Sequence, residues 1–386
     1  MDDLYELTLP RDTVFGEGSL ECLGRRASKL GRSALLVIGR GSVRRSGALD
    51  KAMKLLKGSG IRVTLYEGVE PDPSIQTVDE GSKVCRRESC DLVIGLGGGS
   101  VMDAAKMMAI LAKNPGSARE YQMGERAIEQ PGLPYIAIPT TSGTGSEGNR
   151  VSVLTNKEER IKKSVAHPYM VPHLAIVDPS LTLSLPPKLT AMTGIDALSH
   201  AIESYVSRRA QPFTEGIGLR AIKLIGENLP RAVEKGDDIS ARGSLAMASY
   251  LAGIALNAGA GAAHMLAHPL GALFGIAHGE AIALVLCEVM RRNLDYATEK
   301  FADIAMALGE NTSGLSARSA AELAVDAVSR LCQRIGLTRR LRDFHLKEED
   351  FSEILKGVEK STSHLKETNP CPITEELLLE ILKASM

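Results

Sequence analysis

An aspartate and three histidines in the second half of the chain have the side chains and the spacing of a metal site. Asp196 and His200 are four residues apart, so on a helix their side chains share one face. His264 and His268 repeat this spacing, and His278 follows. Each histidine alone is more typical of a core or capping role. Together, Asp196, His200, His264 and His278 suit a first-row divalent cation, iron or zinc, that acts as a Lewis acid.

Three of these histidines lie in a stretch without charged residues, from 251 to 279. The stretch is long enough to cross a bilayer. It also contains several histidines, an asparagine, a proline and six glycines, and histidines are rare in a membrane span because ionisable groups are costly there. We therefore predict a buried core segment that holds a polar site.

Two loops in the first half of the chain have the composition of a nucleotide cradle. The apolar run 92–96 leads into Gly97, Gly98, Gly99 and Ser100 and then into a helical pattern. Glycines at the start of a helix let backbone N–H groups approach a pyrophosphate. The run matches neither GxGxxG nor a P-loop, so a tight structural turn is the alternative. A second loop, residues 139–147, is rich in hydroxyls and follows the apolar run 135–138, which favours a ligand crevice at one sheet edge.

The turn after the first apolar run indicates which dinucleotide binds. Residues 34–38 lead into Gly39, Arg40, Gly41 and Ser42. An NAD site usually has an acidic residue here that bonds the adenosine ribose 2′-OH. The missing acid and the nearby arginines favour a 2′-phosphate and hence NADP(H), the alternative being a solvated basic turn.

The elements that must position these residues change type along the chain. Apolar runs at 34–38, 62–66, 92–96, 135–138 and 174–177 alternate with helical patterns, which predicts a parallel sheet covered by helices. After Pro186 nearly every segment has helical spacing. We predict an α/β dinucleotide-binding domain over residues 1–185 and an all-α metal and substrate domain over residues 186–386.

Composition excludes several classes of protein. The 386 residues carry a formal net charge of −1, with 8 tyrosines, 6 phenylalanines and no tryptophan, so neither nucleic acid nor a membrane is an expected partner. The six cysteines form no CxxC pair. The N-terminus carries acidic residues where a signal peptide has basic ones, so we expect a cytoplasmic protein with reduced thiols.

Several long motifs in register resemble the iron-containing, or group III, alcohol dehydrogenase family. They are GGGSVMDAAK at 97–106, PTTSGTGSE at 139–147, GIDALSHAIE at 194–203, HMLAHPLG at 264–271 and the HG pair at 278–279. Their order and spacing extend over essentially the whole chain. The resemblance implies a dehydroquinate synthase-like fold, with a dinucleotide-binding α/β domain and a helical metal domain.

The resemblance also implies roles for individual residues. Asp196, His200, His264 and His278 match the metal ligands, and His268 matches a histidine beside the substrate and the nicotinamide. The residues that match cofactor-binding positions are Gly97, Gly98, Gly99, Ser100, Asp103, Thr140, Thr141, Ser142, Thr144 and Lys162. Lys162 resembles the lysine that reaches the cofactor ribose, with Lys163 as the alternative alignment. The turn of Gly39, Arg40 and Ser42 resembles that of NADP(H)-using aldehyde reductases, and Asp72 lies where members often carry asparagine near the adenosine. Members commonly read Ser-Glu-Val-Thr where this chain has Gly148 and Asn149 after Ser-Glu.

The function implied is hydride transfer between a primary or secondary alcohol, or its aldehyde or ketone, and NADP(H) or NAD(H). Fe²⁺ is the expected metal, with Zn²⁺ or another divalent ion as the alternative, and a homodimer is the expected assembly. Glycerol dehydrogenase-like and maleylacetate reductase-like enzymes are the alternatives of the same fold. A non-catalytic metal or nucleotide sensor is the alternative of another class.

Overall fold

The computed structural model describes residues 5–386, which form two compact units. One comprises residues 7–184, and the other comprises residues 185–386 together with residues 5 and 6. The first unit contains a sheet and helices, and the second is helical. The fold class predicted from the sequence is confirmed.

A six-stranded parallel sheet forms the centre of the α/β unit. Its order is β1-β8-β5-β4-β2-β3, and a separate antiparallel hairpin pairs β6 with β7. Every residue of β2, β4 and β5 is buried, as expected for strands covered on both faces. The strands are β1 (Asp12–Phe15), β2 (Ser33–Gly39), β3 (Arg62–Val69), β4 (Leu92–Gly97), β5 (Tyr135–Pro139), β6 (Val151–Asn156), β7 (Ile161–Ala166) and β8 (Leu174–Val177).

The helices of this unit follow the strands in the alternation that the sequence predicts. They are α1 (Leu23–Ala27), α2 (Ser42–Arg45), α3 (Ala48–Gly58), α4 (Ile75–Arg87), α5 (Gly99–Leu111) and α6 (Ala118–Met123). Helix α5 is buried along almost its whole length, and its first residue follows β4 by a single glycine. The carboxyl ends of β4 and β5 are neighbours, because Gly97 pairs with Pro139.

The helical unit packs around one apolar core. Its helices are α7 (Pro187–Val206), α8 (Pro212–Glu234), α9 (Ile239–Ala255), α10 (Ala262–Phe274), α11 (His278–Asn293), α12 (Thr298–Ala307), α13 (Ala317–Arg334), α14 (Phe351–Ser361) and α15 (Glu375–Ala384). A 3₁₀ turn, Leu294–Tyr296, separates α11 from α12. Just before this turn, the buried side chain of Asn293 is bonded to Asn369 and to the backbone of Cys371.

One helical segment has the length and apolar composition of a membrane span. It is Ile239–Ala258, and just over half of it is buried inside the unit. The core helix of a soluble protein has the same properties. Residues 262–270 of the charge-free stretch are all buried, which agrees with the prediction of a core segment.

Candidate metal and cofactor sites

The predicted metal ligands come from three helices and meet at one oxygen atom. Asp196 Oδ1 lies 3.9 Å from His200 Nε2, 3.6 Å from His264 Nε2 and 3.3 Å from His278 Nε2. Asp196 and His200 are one turn apart on α7, His264 is in the first turn of α10, and His278 is the first residue of α11. The structure therefore brings together all four residues that the sequence singled out.

The polar atoms at this point fit a divalent cation. Among the described residues, Asp196 Oδ1 and His264 Nε2 are buried without a hydrogen-bond partner although they face each other. Buried polar atoms are rarely left without a partner, because such an atom costs about 1–3 kcal/mol. A metal ion would satisfy both atoms, and one carboxylate with three imidazoles is a donor set for iron or zinc.

Glu203 orients one of these ligands and was not predicted as a site residue. His264 donates from Nδ1 to Glu203 Oε2 at 2.5 Å, since an ionised carboxylate only accepts, and Nε2 is then the ring nitrogen that could bind a metal. Glu203 Oε1 also accepts from the backbone N–H of Ala263 at 2.7 Å, in the first turn of α10. The signal was present in the sequence, because Glu203 is three residues after His200 on the same helix face.

Burial and charge act in opposite directions on the pKa values of these groups. Burial raises the pKa of Asp196, but His200 and His278 outweigh it and hold this pKa well below its usual range. Burial lowers the pKa of His200 to about 4, although Asp196 opposes the shift. Burial also acts to lower the pKa of His264, but Glu203 and Asp196 raise it to about 9. The two carboxylates therefore favour a positive charge among these rings.

His268 lies beside the cluster on the same helix as His264. Its ring centroid is 6.4 Å from that of His264 and 5.5 Å from that of His278, and the residue is 7% exposed. The structure therefore places His268 beside the predicted metal ligands, and its role next to the substrate stays a prediction.

A close helix contact sets the position of His278. The next residue, Gly279, packs so tightly on α7 that a Cβ atom there would lie 2.0 Å from the backbone oxygen of Met192. Only glycine permits this approach. It brings the start of α11 against the helix that carries Asp196 and His200.

The two predicted cofactor loops touch each other in the α/β unit. The backbone N–H of Thr140 donates to Gly97 O at 2.9 Å, and a Cβ on Gly99 would lie 2.3 Å from Thr144 Cγ2. Gly98 caps α5 without a side-chain hydrogen bond. Among the described residues, Ser142 has a buried hydroxyl without a partner. Unsatisfied donors at a helix N-terminus next to a hydroxyl-rich loop suit a phosphate.

A buried lysine holds the end of the second loop. Lys106, in α5, is 1% exposed, and its three N–H donors are shared among five oxygens that lie 2.6–3.2 Å from Nζ: the backbone oxygens of Ser146, Asn149 and Val151, Ser146 Oγ and Asn149 Oδ1. Burial lowers the pKa of Lys106 to about 8, while Asp103 and Glu147 oppose the shift. The ammonium thus fixes the segment that ends the second loop.

The buried carboxylate of Asp103 binds the same segment as Lys106. Its Oδ1 accepts from Ser146 Oγ at 2.6 Å and its Oδ2 from the backbone N–H of Val153 at 3.0 Å. The residue is 7% exposed. These contacts favour a positioning role for Asp103, although its predicted cofactor contact is not tested. Burial also raises the pKa of the neighbouring Glu147 to about 7, with Lys106 opposing.

Asn149, at which the chain departs from the family pattern, stabilises the end of the second loop through its side chain. Its amide nitrogen donates to Gly145 O at 3.1 Å, and its Oδ1 accepts from the backbone N–H of Val151 at 2.9 Å. The side chain is 4% exposed, and its hydrogen bonds stabilise the backbone around it.

Three further predicted cofactor residues meet at the start of α5. The backbone N–H of Asp72 donates to Ser100 Oγ at 3.2 Å, and Lys162 Nζ lies 2.5 Å from Asp72 Oδ1. Asp72 has a φ of 52°, a left-handed conformation that aspartate and asparagine tolerate better than most residues. Residues from three separate segments thus form one cluster.

The turn after β2 is less basic than its sequence indicates. Arg44 forms a two-pronged ion pair with Glu67, with contacts of 3.2 and 2.8 Å. Arg40 and Ser42 are exposed, and Gly39 is buried at the end of the strand. Arg40 therefore remains the stronger candidate for contact with a 2′-phosphate.

Comparison with known families agrees with this arrangement. Residues 10–179 match the model of the iron-containing alcohol dehydrogenases, and residues 190–386 match that of the C-terminal part of the Fe-containing alcohol dehydrogenase family. The chain belongs to the iron-containing alcohol dehydrogenase family. As a member, it is an alcohol dehydrogenase enzyme.

Relatives in this family match over nearly the full length. The chain is 40% identical to a 1,3-propanediol dehydrogenase of Citrobacter freundii, which covers 98% of each chain. A crystal structure of a 1,3-propanediol oxidoreductase superposes with a TM-score of 0.94, at 39% identity, over 99% of this chain and 100% of that one.

The names of other family members differ in the nucleotide. An NAD-dependent methanol dehydrogenase of Bacillus methanolicus is 36% identical over 98% of this chain and 99% of its own. An NADPH-dependent butanol dehydrogenase of Clostridium saccharobutylicum is 38% identical over 90% of this chain and 89% of its own. Family membership therefore leaves the choice between NAD and NADP open.

Proposed function

We propose that this alcohol dehydrogenase uses a divalent metal, Fe²⁺ in first place, and NADP(H), and that it works as an aldehyde or ketone reductase. The observation that carries the metal assignment is the convergence of three imidazole Nε2 atoms within 3.9 Å of Asp196 Oδ1. Asp196, His200, His264 and His278 would hold the ion. When bound there, a divalent cation supplies Lewis acidity that polarises the substrate oxygen.

The chain's own residues prepare this site. Glu203 holds His264 with Nε2 directed at Asp196, so the ligand needs no reorientation. We assign to His268 the transfer of the substrate hydroxyl proton through its imidazole, a general acid–base role. The loops at Gly97–Ser100 and Thr140–Thr144 would hold the pyrophosphate, and Lys106 keeps the second loop in place.

The test is turnover by metal-analysed protein. Protein purified without oxygen should contain about one iron or zinc ion per chain and should oxidise NADPH in the presence of short aldehydes. The panel includes the aldehydes of methanol, butanol and 1,3-propanediol, the alcohols in the relatives' names. Metal-loaded protein that turns over none of the panel with either nucleotide would instead support a sensor.

The same panel separates the alternatives of this fold. Glycerol with NAD⁺ or NADP⁺ and maleylacetate with NADH or NADPH are added, and a preference for either substrate supports the corresponding enzyme over an aldehyde reductase. We also propose that the protein is cytoplasmic, which fractionation of cells tests. We propose that it forms a homodimer, which light scattering of the purified protein tests.

The NADP(H) preference leads to a prediction for Gly39. Gly39→Asp should lower the ratio of kcat/KM for NADPH to that for NADH by about tenfold or more, because a carboxylate repels a 2′-phosphate and bonds a 2′-OH. The change fits the backbone, since a Cβ there would meet Val101 Cγ2 at 3.4 Å, an ordinary contact.

Gly58→Asp is the matched control for this prediction. It adds the same charge in the same unit, where a Cβ has no neighbour within 4 Å, and it should leave the ratio unchanged. A wild-type preference for NADH, or a Gly39→Asp variant with an unaltered ratio, would count against the NADP(H) assignment.

A further inference from the structure

The ion pair between Asp72 and Lys162 places a carboxylate at the edge of the predicted phosphate site. Lys162 Nζ lies 2.5 Å from Asp72 Oδ1, and the Lys162 side chain is only 7% exposed, against 40% for Asp72. A nearly buried ammonium needs an anionic partner, since removal from water penalises its charge. Asp72 provides that partner in the cofactor-free protein.

The backbone holds Asp72 firmly in this position. The backbone N–H of Thr155 donates to Pro73 O at 2.9 Å, and Thr155 is the partner of Lys162 in the β6–β7 hairpin. Glu70 Oε1 accepts from the backbone N–H of Ser74 at 3.1 Å. The segment that carries Asp72 is therefore fixed against the strand that carries Lys162.

The same segment touches the start of α5. The backbone N–H of Asp72 donates to Ser100 Oγ, and Ser100 is in the first turn of this helix. The N-terminus of a helix favours an anion, and the dinucleotide expected here carries at least two negative charges. A fixed carboxylate at this place repels such a ligand and occupies the cation that could attract it.

We propose that Asp72 is an affinity-determining residue: its carboxylate holds the Lys162 ammonium, which the cofactor ribose would otherwise reach, and its charge repels the cofactor's phosphates. The inference rests on the proposed function, in which these loops bind the dinucleotide. It gives Asp72 a role opposite to a direct cofactor contact. The carboxylate stabilises the empty protein and weakens the binding of every negatively charged nucleotide.

Asp72→Asn tests this role because it removes the charge and keeps the shape. Asparagine also tolerates the positive φ of this position. In the cofactor-free protein the variant should melt about 2–4 °C lower, since Lys162 loses its anion. The equilibrium Kd for NADPH, measured by nucleotide fluorescence, should fall about tenfold, with a smaller or equal fall for NADH.

Two further readouts separate a charge effect from a change of shape. The gain in NADPH affinity should shrink at high salt, because screening weakens the repulsion that Asp72 exerts. The inhibition constant of uncharged adenosine, measured against NADPH, should change by less than about twofold. Glu125→Gln, which removes an exposed carboxylate paired with Arg119 in the same unit, should alter none of these quantities.

Opposite shifts of stability and affinity are the signature of this role. If Asp72→Asn lowers both the melting temperature and the NADPH affinity, Asp72 is a structural or cofactor-contacting residue, and the inference is wrong. An equal gain for adenosine and NADPH also overturns it. If wild type and variant alike bind neither dinucleotide, the proposed function fails as well.

Discussion

Replacing Asp196 by alanine is expected to leave the protein without its divalent metal and to lower kcat by about a thousandfold or more. Asp196 is the one carboxylate among the four assigned ligands, and its Oδ1 is the atom on which the three imidazoles converge. Without it only imidazoles remain as direct ligands, and no carboxylate oxygen is in place to bind the dication. Elemental analysis of protein purified without oxygen and initial rates with NADPH measure the two effects.

Asp295→Ala is a suitable comparison for this variant. Asp295 belongs to the same helical unit, and its side chain is 81% exposed in an ion pair with Arg318. Exposed pairs contribute little to stability, so metal content and kcat should match the wild type. An Asp196→Ala protein with full metal content and undiminished turnover would refute the assignment of this site.

Gly279→Ala should damage stability and metal binding together. The added methyl group would lie 2.0 Å from the backbone oxygen and 2.6 Å from the carbonyl carbon of Met192, so α11 and α7 must move apart. Overpacking of this kind typically lowers the free energy of unfolding by about 1–3 kcal/mol. Separation of the helices also moves His278 away from Asp196, and metal affinity should fall by about 10–100-fold, as when a group that orients a ligand is lost.

Gly216→Ala is the control for this variant, because it should raise the free energy of unfolding where Gly279→Ala lowers it. Gly216 is in α8 of the same unit, where a Cβ has no neighbour within 4 Å. Alanine is a better helix former, so this variant should gain about 0.5–1 kcal/mol and keep its metal. Chemical denaturation and a competitive chelator titration measure both variants. A Gly279→Ala protein that is as stable and as tightly metal-bound as the wild type would show that the helices do not need this close contact.

The sequence predicted the buried strands of the sheet well and the exposed or polar ones poorly. The runs that became β2, β4 and β5 are continuous apolar segments because both faces of the sheet are covered. Strand β1 was not predicted, since its four residues are largely exposed and two of them are aspartate and threonine. The β6–β7 hairpin was missed for another reason: the buried face of β6 carries Ser152 and Asn156 beside Leu154, so hydrophobicity does not alternate.

The four candidate metal ligands stand out in the sequence because their chemistry is carried by residue type and spacing. Asp196 and His200 form one helical turn, and the remaining histidines stand out in a segment without charges. The partners of these groups could not be predicted in the same way. The bond from His264 to Glu203 and the contact of Gly279 with Met192 depend on how α7, α10 and α11 pack, which no local pattern records.

Because of Lys106, the α/β unit and the helical unit differ in how they depend on ions from the solvent. Five oxygens around one ammonium form the kind of cage that other proteins fill with a sodium or potassium ion. Here the cation is covalently attached to the chain and cannot exchange with the solvent. The predicted cofactor loops therefore need no free ion at this point to keep their shape, whereas the proposed metal site depends on the supply of metal.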